Sequence, residues 1–151
     1  MNIPEKKGFA SDNNSGIHHL LLKAITDANS GHAAAYGDDA YTVAVKNIFK
    51  ETFGENAEVY FVLNGTGANV LGISALTKSF NAVICTGTAH IHVDECGAPE
   101  KFSNCKLIPL KTTDGKLSAE MIPDQLQGTG FEHHVQPVVV SISQQIGRAH
   151  V

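Results

Sequence analysis

Two short stretches of this 151-residue chain have residue types and spacing that could do chemistry. The first is Leu63-Asn64-Gly65-Thr66-Gly67-Ala68-Asn69, a glycine-rich turn after an apolar run and before a helical pattern. Glycines let a backbone approach a ligand closely, and a first helical turn offers unpaired N–H groups and a positive dipole end. A phosphate suits that place, with Thr66 adding a hydroxyl. The same residues also serve as a tight connection with no ligand. No Lys-Ser/Thr pair follows, so this is not a Walker loop, and the full dinucleotide fingerprint is absent as well.

The second stretch is Thr88-Ala89-His90-Ile91-His92-Val93-Asp94-Glu95-Cys96-Gly97-Ala98-Pro99, in which His90, His92, Asp94 and Glu95 fall within six residues. Three readings stand open. His-x-His-x-Asp comes within one residue of the HxHxDH order of metal-dependent hydrolases, with Glu95 where the last histidine would be, and zinc or iron accepts such ligands. Alternatively, one imidazole packs flat on a cofactor ring while a nearby carboxylate handles protons. The third is a solvated helix start whose acids favour the dipole. Two further segments, Phe9-Ala10-Ser11-Asp12-Asn13 and Ala35-Tyr36-Gly37-Asp38-Asp39, read alone as loops with turn chemistry.

These residues need elements to hold them. Apolar residues at Ile17, Leu20, Leu21, Ala24, Ile25 and Ala28 have helical spacing, ended by Gly31. A second helix carries Val45, Ile48, Phe49 and Phe53, with Thr42 as its expected cap and Gly54 as its stop. A third carries Val70, Leu71, Ile73 and Leu76. EVYFVL, AVICT, KLIPL and PVVVSIS read as buried strands, TTDGK as a turn, and Ser118 as the cap of a short helix. Strands alternating with helices predict an α/β fold with a parallel or mostly parallel sheet. Ligands of such sheets bind at the carboxyl ends of the strands, here the loops after Leu63 and Thr86.

Composition sets the outer limits. Hydrophobic residues make up 42% and charged residues 17%, which is globular, and a net charge of −4 gives no reason to expect nucleic acid or an anionic membrane as partner. The longest apolar runs fall far short of the roughly 20 residues that span a bilayer. MNIPEKKGFA has no apolar stretch after its lysines, so no signal peptide is expected. Cys85, Cys96 and Cys105 form no CxxC pair and read as reduced thiols of a cytoplasmic protein.

Taken in order, FASDN, GHAAAYGDD, NGTGAN and TAHIHVDECGAPEKFSN resemble successive motifs of the threonine aldolase and β-eliminating lyase family, from about Phe9 to Gln144. The resemblance implies the N-terminal part of a large domain of pyridoxal-phosphate (PLP) fold type I. It also implies a homodimer or homotetramer, and cleavage of threonine, allo-threonine and related β-hydroxy-α-amino acids to glycine and an aldehyde. Gly65, Thr66 and Gly67 match the family's phosphate-binding turn. His90 matches the histidine that stacks on the pyridine ring and assists proton transfer, and Glu95 the acid five positions on. Ser11 and Asp12 match the motif near the substrate, and Tyr36 an active-site tyrosine that reaches across a subunit interface. His133 aligns with a histidine at the substrate hydroxyl, in poorly matching surroundings. A metal hydrolase would leave NGTGAN and YGDD without a task, so the resemblance favours the cofactor reading and no metal.

Two departures qualify this picture. The family's PLP-binding lysine, the aspartate at the pyridine nitrogen and the arginine at the substrate carboxylate all lie further downstream. Lys23, Lys46, Lys50 and Lys78 read as solvated helix faces, so this stretch alone is expected to be inactive. Residues 1–145 read as part of the large domain, whereas 146–151, IGRAHV, is what one reading frame of a widely used sequencing adapter encodes and reads as a non-native tail. The alternatives are a lyase that β-eliminates another amino acid, and a non-catalytic module that binds phosphate or PLP.

Overall fold

A strand survives only where neighbours take up its N–H and C=O groups, and this decides which apolar runs become strands here. The computed structural model describes residues 14–143. The proposed tail and the Ser11-Asp12 motif lie outside them. The chain divides into two units between Phe61 and Val62.

The described residues of the first unit hold two α-helices, α1 (His19–Ala28) and α2 (Ala40–Phe53). His18 caps α1, its Nδ1 accepting from the Leu20 N–H at 3.3 Å. Asp39, not Thr42, caps α2: its carboxylate takes the Thr42 N–H at 2.9 Å and the Thr42 hydroxyl at 2.6 Å. Asp39 is the residue with extended backbone just before the helix, so its side chain reaches the free N–H three residues on. Gly54, at φ +103, ends α2 as expected. Neither helix contains a buried residue, so the apolar stripe of α1 forms but stays open.

The second unit is a three-stranded parallel sheet with helices. It runs α3 (Gly65–Leu76), β1 (Asn81–Thr86), α4 (His90–Val93), α5 (Ala98–Ser103), β2 (Lys106–Leu110) and β3 (Gln136–Val140). Short 3-10 turns at Ala119–Met121, where Ser118 is the cap residue, and Pro123–Leu126 lie between β2 and β3. The strand order is β2-β1-β3, all parallel. Every residue of β1 is buried, which is why NAVICT is a run of small and apolar side chains. Pro109 and Pro137 fall on the flanking strands, where a missing N–H is tolerated. The register slips between Ala82–Pro137 and Val83–Val139, so Val138 is the extra residue of a bulge.

EVYFVL is not a strand. Residues 57–62 carry no regular structure, and Tyr60, Phe61 and Leu63 are exposed. β1 is already paired on both sides, and among the described residues EVYFVL joins neither outer edge of the sheet. The core joins Val83 and Cys85 of β1, Leu107 of β2, Ile73 of α3 and Ile91 of α4, with Ala89 and Cys105, and Val139 packs against it. One sheet face is thus covered by α3 and α4. Among the described residues no helix is long and apolar enough to cross a membrane.

Candidate active site

Asn64 starts the site. Its backbone is extended and its Oδ1 accepts the Gly67 N–H at 2.8 Å, which fixes the first turn of α3. The Gly65 and Thr66 N–H groups then lie in the turn that has no intrahelical acceptors. A Cβ on Gly65 would meet nothing within 4 Å, and no acidic residue stands in this turn. The surroundings are open and suit an anion.

The second part follows β1. The chain leaves the carboxyl end at Thr86, and the Gly87 N–H bonds the Leu110 carbonyl at 2.8 Å. His90 opens α4, which is only one turn long. Beyond it Cys96 and Gly97 both take positive φ, +50 and +70, and the Ala98 N–H closes the turn on the Glu95 carbonyl at 2.8 Å. The reversal after Glu95 is of the type I′ kind; before it Asp94 leaves helical geometry, at φ −121 and ψ 11, so Glu95 does not continue α4. Glu95 Oε1 lies 2.7 Å from His90 Nδ1 and 2.6 Å from Asn69 Nδ2. The Glu95 side chain has 0% exposure and that of His90 28%. The other Glu95 oxygen, Oε2, is buried and has no partner among the described residues. An ionised carboxylate only accepts, so the ring donates from Nδ1 and its remaining nitrogen, Nε2, is left for chemistry.

This network ties α3 to α4 and unites two of the sequence motifs. His90 and Glu95 meet as a pair, on the same helix-bearing unit as Gly65, Thr66 and Gly67. Asn69 completes the set. The sequence does not announce it, because an asparagine in a helix carries no signal of a partner 26 positions away. The Glu95 side chain is sealed from solvent, and the His90 ring bonded to it is partly exposed. Among the described residues no three His, Cys, Asp or Glu side chains converge as a metal set, and His90 turns to Glu95 instead.

Of the other candidates, His133 stands apart from this pair within the second unit. His133 is exposed, edge-on to Phe131 at 5.3 Å between ring centres, and 3.9 Å from Glu132. It precedes the amino end of β3, whereas His90 follows the carboxyl end of β1. Asn81 pairs with Gln136 in a parallel register, so these are opposite ends of the sheet. Tyr36 belongs to the first unit. It is fully exposed with φ +63, beside Gly37 at φ +92, in a turn closed by the Asp38 N–H on the Ala35 carbonyl at 3.4 Å. A tyrosine held in that region is strained backbone, which in proteins gathers at functional sites. At the carboxyl ends of β1 and β3, Thr86, Gly115, Lys116, Leu117, Ile142 and Ser143 line a cavity of about 300 Å³. A second, of about 320 Å³, lies among Gly87, Thr88, His92, Pro109, Lys111 and Thr112. The strand ends open where an α/β sheet places its ligands.

Known proteins match this arrangement. The family described as Beta-eliminating lyase matches residues 8–149. A low specificity L-threonine aldolase of Pseudomonas aeruginosa is 45% identical over 90% of this chain and 40% of its own length. One of a Pseudomonas species is 43% identical over 93% of this chain and 41% of its own. The solved threonine aldolase of Leishmania major superposes with a TM-score of 0.83 at 31% identity, over 90% of this chain and 40% of that one. The chain therefore spans about two fifths of the length of these relatives. With a family match across nearly its whole length, on the parallel α/β frame of a fold type I enzyme, the chain belongs to the β-eliminating lyase family.

Proposed function

We propose that residues 1–145 supply part of the large domain of a PLP-dependent threonine aldolase. That enzyme cleaves threonine, allo-threonine and related β-hydroxy-α-amino acids to glycine and an aldehyde, and works as a homo-oligomer. The observation that carries the proposal is the His90–Glu95 pair, built on α4 beside α3 in a chain whose relatives are named threonine aldolases.

The residues present fit PLP. The first turn of α3 offers the Gly65 and Thr66 N–H groups, the Thr66 hydroxyl and the positive helix end to a phosphate, with open space at Gly65. The partly exposed His90 ring offers a flat face to a pyridine ring, and its tautomer is set by Glu95. Bound PLP supplies the electron sink for the pair left when the substrate Cα–Cβ bond breaks. His90 Nε2, lone pair outward, receives a proton from the substrate side and returns one to it. Glu95 stabilises the positive ring while it holds that proton. Ser11, Asp12 and Tyr36 bind substrate, Tyr36 from a neighbouring subunit. No role is assigned to His133 in the site of its own chain, because it leads into the other end of the sheet.

The test is made in the full-length protein that carries this segment. Threonine should yield glycine and acetaldehyde, and His90→Ala should lower turnover by about 10²–10⁴-fold, the usual range for a general acid–base. Near-normal glycine formation by the variant would refute the role of His90. Ammonia and a keto acid in place of glycine would point to β-elimination.

A further inference from the structure

We infer that Asn69 is a positioning residue that sets the tautomer of His90 through Glu95. Its catalytic consequence rests on the function proposed above, but the geometry does not. Both donors that reach Glu95 end on one oxygen: Asn69 Nδ2 at 2.6 Å and His90 Nδ1 at 2.7 Å from Oε1. The other oxygen has no partner among the described residues. The Asn69 amide must face Glu95 with its nitrogen, since two oxygens at that distance would repel. Among the described residues Asn69 is therefore the one donor besides His90 that pins the rotation of a carboxylate with 0% side-chain exposure.

A pinned acceptor at Nδ1 demands the proton there. The neutral ring then keeps its lone pair on Nε2. Without Asn69 the carboxylate keeps only the His90 contact and is free to turn its second oxygen toward the ring or away from it. His90 would then sample both tautomers, one of which has no base at Nε2. Asn69 also stands one helical turn after Gly65, at i+4 on the same face of α3. One helix thus presents an anion-binding end and, a turn later, the group that orders the proton-handling pair.

The experiment is ¹⁵N NMR of the histidine rings and asparagine side chains in the full-length protein, prepared free of PLP, so that the readout is independent of activity. Wild type should show His90 protonated at Nδ1 and an Asn69 side-chain proton protected from exchange with water. Asn69→Ala and the volume-preserving Asn69→Leu should each give a mixture of His90 tautomers. In the PLP-loaded enzyme they should lower kcat by about tenfold to a hundredfold, the usual cost of losing a partner that orients a histidine, with KM little changed. A wild-type ring protonated at Nε2, a freely exchanging Asn69 amide, or an unchanged Nδ1–H tautomer in both variants would each overturn the inference. Should neither variant fold, the two wild-type signals decide it. Absence of threonine cleavage in wild type would sink the aldolase reading and leave the ring spectrum untouched.

Discussion

Expressed by itself, the 151-residue chain should not fold to a well-packed state, and the reason is surface left open on the second unit. Val138, Val140 and Ile142 on and after β3, with Leu71 and Leu76 on α3, are between 48% and 70% exposed. Full burial of such a side chain contributes about 1.5–3 kcal/mol, so covering the open half of each is worth about 1 kcal/mol, or roughly 5 for the five. A whole domain is net stable by only about 5–15 kcal/mol. What is left uncovered is therefore comparable to the stability itself. The outer edges of β2 and β3 add unpaired backbone groups among the described residues, softened by Pro109 and Pro137. The assay is urea unfolding followed by far- and near-ultraviolet circular dichroism, with binding of a hydrophobic dye. Expected are retained helix signal, weak near-ultraviolet signal, dye binding and a broad transition. A sharp transition, coincident by both probes and without dye binding, would show that these side chains need no cover and refute the reasoning.

Three further predictions test the core, a thiol and a cap. Ile84 is 1% exposed at the centre of β1, so Ile84→Ala should cost about 2–5 kcal/mol and Ile84→Val about 0.5–1.5, read from denaturation midpoints of the full-length protein; equal costs would contradict its packing. Burial, with the charge of Glu100 second, pushes the Cys85 thiol up to about 11, so alkylation at pH 8 should label exposed Cys96 long before Cys85, as seen by peptide mapping. The Thr42 hydroxyl, then its N–H, holds the Asp39 carboxyl below the usual carboxylate range. Its contribution is present above the unfolded value and lost as pH falls through the lowered folded one. Exchange protection of the Thr42 and Val43 amides should drop on that acidification in wild type and show no such step in Asp39→Asn.

The elements were legible wherever one local pattern sufficed. AVICT and KLIPL became β1 and β2, and the PVVV of the last run falls within β3, because β-branched runs between turn residues need only the neighbours the sheet provides. EVYFVL is an apolar run of the same kind and forms no strand, since composition does not tell which segment a sheet will take as its partner. Thr42 and Asp39 are both good caps. The choice fell to Asp39 because the helix began at Ala40, a boundary that apolar spacing fixes only to within a turn.

The site divides along the same line. His90 and Glu95 are five positions apart and their proximity was open to inspection, but their contact was not. An acid at i+5 on a continuing helix would point away from the first residue by more than a full turn. It meets His90 because α4 stops after four residues and Asp94 leaves helical geometry at φ −121 and ψ 11, a break that motif spacing does not announce. Asn69 is further from reach still, since it joins the pair only when α3 packs on the sheet beside α4. His133 shows the converse. Its alignment with a substrate-binding histidine is a statement about order along a chain, while the parallel pairing of β1 with β3 puts it at the end of the sheet remote from His90. Proximity of catalytic groups is a property of turns and strand directions, and those are set by a few backbone angles that motif spacing does not encode.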